Sequence, residues 1–255
     1  MRNLISLSLL FCLLILSACK KDQTTPIETT TLGFSFTANY DGVPIVINEQ
    51  EYAYAGKPIR FSKVSFYVSN VTLGETEVSD VNYIDLTNTH TDQAAAEMGT
   101  SLNFLKIPVG EYETMAFGIG VAPDLNRTKP SDYSTSHPLG ADNSAEYWEA
   151  WDSYIFVKIE GQYDADGNGF DANDVAFAYH IGQDELYRKL SATFDDPLLL
   201  AADTPTNITF LIDIKKLLTT GTGELLPLDV HDPTNQMDVM RMIMNNFPDA
   251  VNYRR

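Results

Sequence analysis

The chain has 255 residues, 44% of them hydrophobic, and a formal net charge of −18. That length suffices for a sizeable core, and the acidic balance, with no basic patch, argues against a nucleic-acid partner. The two cysteines, Cys12 and Cys19, both lie at the start, which excludes a disulfide framework, a thiolate nucleophile and a zinc–thiolate site in the rest of the chain.

Residues 1–18 have the form of a secretion signal. Arg2 supplies the positive start, Leu4 to Leu16 is an apolar run too short to span a bilayer, and Leu16-Ser17-Ala18-Cys19 closes it. The closing box resembles that of bacterial lipoproteins. The resemblance implies cleavage before Cys19, lipid on its sulfur, and attachment to the outer membrane of a bacterial cell envelope. Loss of the signal removes Arg2 and no acid, leaving −19. Residues 19–31, polar and threonine-rich, read as a flexible tether to a domain over 32–255. The charge suits solubility, and it also suits a cation-binding protein.

Strand signals fill the first half. Leu32 to Tyr40 alternates apolar and small residues, and Asp41-Gly42 reads as a turn. Short strands are expected over 43–48 and 51–55. The clearest strand is 59–73, where Ile59, Phe61, Val64, Phe66 and Val68 share a face only if the period slips once near Lys63, which predicts a bulge. Further strands are expected over 82–86, 102–107, 112–121 and 206–214, with a turn at Pro108-Val-Gly110. Asp124 to Asn143 lacks period and carries Pro130, Pro138 and Gly140, so it is expected as a long loop. Asp195-Asp196 beside a proline reads as a surface turn. Asp232-Pro233 is a cap and first-turn pair for a helix through Met237, Met240, Met244 and Phe247, stopped by Pro248. The pattern predicts an all-β fold, a single antiparallel β-sandwich of immunoglobulin-like kind with long loops and a short C-terminal helix.

Glu146 to Gly182 holds the densest set of reactive groups. Asp164, Asp166, Asn168 and Gly169 match the first half of a calcium loop, to which the Phe170 carbonyl, Asp171 and Asp174 would add oxygens. Position twelve is Val175 rather than Glu, and a plain hairpin turn fits the same residues. Trp148 and Trp151 suit either the core or a surface that stacks on sugar. His180 ends an apolar run beside Gly182, where it is either a hydrogen-bonded structural residue or part of a cleft. His231 precedes the methionine-bearing helix, and imidazole with thioether suits copper(I), though methionines at helical spacing also suit a core. No catalytic motif is present, and the expected role is non-enzymatic.

Three segments together resemble the MbnP-like family. They are Arg60-Phe61-Ser62-Lys63 with Phe66-Tyr67-Val68-Ser69-Asn70, then Pro108-Val-Gly-Glu-Tyr112 with Phe117-Gly-Ile-Gly-Val121, then Trp151 to Gly161 with Tyr179-His180-Ile181-Gly182. The resemblance implies an all-β envelope domain that binds copper through histidines and an oxidised tryptophan, kynurenine, made by a dihaem partner. His180 falls at the family's H-x-G position, Trp148 or Trp151 in its tryptophan segment, and His231 in a comparable late position. The chain departs from the pattern where two residues, rather than one, separate the tryptophans, and where Ser153 replaces a glycine. The alternative expectation is an envelope lipoprotein that binds glycan or a protein through exposed aromatics, with calcium only structural.

Overall fold

Alternation of apolar residues sets the first strand, β1 (Thr29–Tyr40), and buries Phe34, Phe36, Ala38 and Tyr40. The computed structural model describes residues 27–171, 174–228 and 233–255. Cys19, His231 and Asp232 therefore lie outside the described residues. β1 begins three residues before the expected start of the domain, because Thr29 and Thr30 already pair with Pro108 and Ile107.

The strands that follow are β2 (Val43–Pro44), β3 (Tyr52–Tyr54), β4 (Lys57–Leu73), β5 (Thr76–Asp85), β6 (Thr100–Pro108) and β7 (Gly110–Ile119). Beyond the long loop come β8 (Tyr147–Trp148), β9 (Ser153–Tyr163), β10 (Val175–Gly182), β11 (Arg188–Leu200), β12 (Thr206–Asp213) and β13 (Val251–Arg254). The helices are α1 (Gln93–Met98), α2 (Ile214–Leu217) and α3 (Pro233–Ala250). A five-stranded sheet runs β13-β12-β1-β2, with β6 also on β1. An eight-stranded sheet runs β10-β9-β4-β7-β11, with β3 and β5 on β4 and β8 on β9.

The two sheets face each other across an aromatic core. Phe36 of the smaller sheet meets Phe66 of the larger at 5.6 Å, and Phe210 meets Phe117 at 5.1 Å. Each such contact adds roughly 0.5–1.5 kcal/mol beyond area burial. Met240, Met244 and Phe247 of α3 are buried in the same core. These methionines are packing residues, as their helical spacing allowed. Among the described residues no helix is long and apolar enough to cross a membrane.

The predicted bulge is present. The pairing of β4 with β9 shifts register between Phe61 and Lys63, and all five apolar residues of that face are buried. Four expectations need correction. The strand expected over 43–48 is cut to Val43–Pro44, and Ile45 to Ile47 are buried outside any strand. Asp195-Asp196 is not a turn but the exposed part of a bulge within β11, where register with β7 shifts between Thr193 and Leu198. Pro248 does not stop α3, which continues to Ala250 before β13. Finally, β1 and β12 pair in parallel, Leu32 opposite Thr206 and Asn39 opposite Asp213, whereas the other strand pairs are antiparallel.

The loop after β7 positions the site. It carries 3-10 turns at Pro130–Asp132 and Ala141–Glu146 and covers the outer face of the larger sheet. Sheet side chains hold its carbonyls: Tyr67 donates to Pro138 O at 3.1 Å, Tyr154 to Leu139 O at 3.0 Å and Lys158 to Ala145 O at 3.0 Å. A covered loop keeps its polar backbone only with such partners.

Candidate functional site

β9 and β10 carry the first half of the site. His180 stands opposite Lys158, and Ala178 opposite Glu160, so His180, Lys158 and Glu160 share the outer, loop-covered face. Across that face His180 Nε2 lies 2.7 Å from Glu160 Oε1. Nε2–H donates to the carboxylate, and a metal would meet the ring at Nδ1 once that nitrogen carries no proton. The bond from His180 holds the Glu160 carboxyl below its ordinary range. Burial opposes this, and the charges of His180, Lys158 and Lys63 add to it.

The β8–β9 hairpin carries the second half. Trp148 pairs with Ser153, the Trp151 N–H donates to Trp148 O at 3.0 Å, and Asp152 completes the turn in the left-handed region at φ 49°. The turn stacks the two indoles at 4.9 Å and 12°. The Trp148 ring then lies 6.0 Å from the His180 ring, tilted by 58°. Trp151 packs over Gly182, where an added Cβ would come within 3.3 Å of the indole and 2.5 Å of Tyr154 O. Both indoles are half-buried.

Buried polar residues fix the hairpin to the sheet. Ser153 Oγ accepts from Gln183 N at 3.0 Å. Asn126 Oδ1 accepts from Tyr154 N at 2.9 Å, while its amide donates to Ser153 Oγ and to Asp184 Oδ1. Ser153 is thus a tie between the hairpin and the residue that follows β10. Beside it a cleft of about 410 Å³ is lined by Asn126, Arg127, Trp151, Asp152, Gln183 and Asp184. Immediately before β8, Glu146 is buried and pairs with Lys158 at 2.9 Å, accepts from Tyr83 OH at 2.9 Å, and lies 3.9 Å from Lys63. Sequence reasoning missed Asn126, Glu146 and the pairing of Glu160. The available signal was charge at alternate positions of an otherwise apolar strand, Lys158 and Glu160.

The carboxylate loop is folded on itself. Asp164 is buried and accepts from Gly167 N at 2.6 Å and Gly169 N at 3.1 Å. Burial pushes its carboxyl up, but these donors outweigh burial and hold it below its ordinary value. Asp166 accepts from both nitrogens of Asn168, and Asp171 N donates to Asp174 Oδ2 at 2.6 Å. The cation brought to the loop is the Lys57 ammonium, on Ala165 O, and the Arg60 guanidinium lies 4.2 Å from the Phe170 ring centre. Among the described residues, no three His, Cys, Asp or Glu side chains are grouped to hold a metal ion. The other described histidines do structural work. His90 is fully buried, and His137 stacks on Tyr133 at 4.2 Å.

No curated protein matches the chain. A solved structure of MbnP from Methylosinus trichosporium is similar over 75% of this chain and 78% of its own, at 15% identity and a TM-score of 0.48. The sequence model of the MbnP family matches residues 29–239. That match takes in the larger sheet, the smaller sheet apart from β13, the covering loop, the tryptophan hairpin and His180, so the chain belongs to the MbnP family.

Proposed function

We propose that the protein is a lipid-anchored, non-catalytic component of a bacterial cell envelope that binds copper(I). His180 supplies one ligand through Nδ1, and Trp148 or Trp151, oxidised by a dihaem partner, supplies a second donor beside it. The observation that carries this reading is the His180 ring, anchored at Nε2 by Glu160 at 2.7 Å and flanked by Trp148 at 6.0 Å. Metal-binding imidazoles usually donate their other ring N–H to such a carboxylate. The donor set suits the group in part: imidazole favours copper, and of the two histidines in this reading His180 is among the described residues. The second histidine of this reading, His231, lies outside them.

The mutual stacking of the indoles disfavours the glycan alternative, because each ring already spends a face on its neighbour. The test is copper content of the protein made in its own envelope, beside His180→Ala. Wild type with bound copper and a copper-free variant support the reading. A wild type that holds no copper and takes up no added copper(I) ends it. Cys19→Ser tests the anchor, and a variant that stays in the membrane fraction refutes it.

A further inference from the structure

Four tyrosines form an unbroken line of rings under the covering loop. Tyr147 meets Tyr154 at 5.0 Å, Tyr154 meets Tyr67 at 6.0 Å, and Tyr67 meets Tyr83 at 5.0 Å. All three distances lie in the range of direct aromatic contact. The two middle rings are fully buried, and their hydroxyls donate to the carbonyls of Leu139 and Pro138. A carbonyl does not take up a proton at ordinary pH. The two end rings differ. Tyr147 OH donates to Asp152 Oδ1 at 2.7 Å, and Tyr83 OH donates to Glu146 Oε1 at 2.9 Å. Each end phenol therefore has a carboxylate within proton-transfer reach, whereas the middle pair has none.

A phenol is oxidised far more readily when its proton leaves with the electron. The end rings can hold a hole, and the middle rings can only pass one on. We propose that this line is a relay for oxidising equivalents between the tryptophan hairpin at the surface and half-buried Tyr83 with its buried partner Glu146. The external reagent is a one-electron oxidant at the hairpin, such as a high-potential metal complex. It takes an electron from Tyr147 as the phenol proton moves to Asp152. An electron then passes from Tyr83 through Tyr67 and Tyr154 to Tyr147, which recovers its proton from Asp152, while the Tyr83 proton moves to Glu146. The balance is one Tyr83 radical, one neutral Glu146 and one reduced oxidant. Lys158 at 2.9 Å and Lys63 at 3.9 Å flank the Glu146 carboxyl that receives this proton. Burial and the Glu146 charge push the Tyr83 pKa up, so its proton is retained until the electron departs.

This inference goes beyond the copper reading, and its test needs no copper. Metal-free protein is mixed with a ruthenium tris-bipyridine photo-oxidant and a sacrificial acceptor, flashed, and followed by transient absorption and freeze-quench electron paramagnetic resonance. Wild type is expected to give a long-lived tyrosyl radical. Tyr83→Phe and Glu146→Gln are expected to lose most of it. Tyr67→Phe, which keeps the ring and leaves Tyr83–Glu146 intact, is expected to delay or abolish it, with circular dichroism confirming the fold. An unchanged long-lived radical in Tyr83→Phe or in Tyr67→Phe overturns the relay, as does a radical confined to a tyrosine outside the four.

Discussion

Glu160 and His180 meet at 2.7 Å although they are not opposite each other in the sheet. His180 faces Lys158 and Glu160 faces Ala178, so the contact is a diagonal one, two residues along the neighbouring strand. Ala178, directly opposite Glu160, carries only a methyl group on that face. The diagonal fixes both the tilt of the imidazole and which nitrogen bears the proton.

If this contact orients a copper ligand, Glu160→Gln will weaken copper(I) binding by roughly 10–100-fold. His180→Ala will remove the site. Competition with a chromophoric copper(I) chelator measures both, and circular dichroism shows that the fold survives. Glu160→Gln binding copper as tightly as wild type would deny Glu160 the orienting role.

Gly182→Ala tests the seat of the indole. The added methyl meets the Tyr154 carbonyl at 2.5 Å and Trp151 at 3.3 Å. Overpacking of this kind costs about 1–3 kcal/mol, and each kcal/mol lowers Tm by about 2–4 °C at this size. Tryptophan fluorescence should shift as well. A variant with wild-type Tm and emission would show that Trp151 does not rest there.

The buried Glu146–Lys158 pair should punish single substitution. Lys158→Met leaves the buried Glu146 with only Lys63, at 3.9 Å, as a cationic partner and is expected to cost about 3 kcal/mol in urea unfolding. Glu146→Leu combined with Lys158→Met removes both charges and should restore much of that loss. A double variant whose cost equals the sum of the separate Glu146→Leu and Lys158→Met costs would mean that the two charges are not coupled.

His90 makes stability depend on pH. Burial pushes its pKa down from 6.5 to about 4. Its Nε2 accepts from Ala38 N at 3.3 Å, which requires the neutral ring. Between these values the unfolded chain binds a proton that the folded chain refuses, so this contribution is whole above pH 6.5 and is lost as pH falls toward 4. The loss is about 3 kcal/mol. His90→Gln should flatten that part of the stability–pH curve. An unchanged slope would place the titration elsewhere.

The apolar face of β4 was legible in the sequence, including its bulge near Lys63, because a period of two must slip by one residue to keep Ile59, Phe61, Val64, Phe66 and Val68 on one side. The burial of Met240, Met244 and Phe247 was legible for the same kind of reason, at helical spacing. β11 was hidden by Asp195-Asp196-Pro197, which carry turn chemistry but sit in a bulge that a strand absorbs. Asn126, Glu146 and Glu160 looked ordinary, because a polar residue declares its role only through the partner it meets.

Local pattern alone settled the strand-rich character of this chain, the faces of its longest strand and the helix near its end, since periodicity depends on neighbours a few residues away. Only the folded chain could set β1 beside β12 in parallel, bring Glu146 to Lys158, or place Trp148 next to His180. Those contacts depend on how distant strands register and how the covering loop lands on the sheet, and no local spacing encodes that.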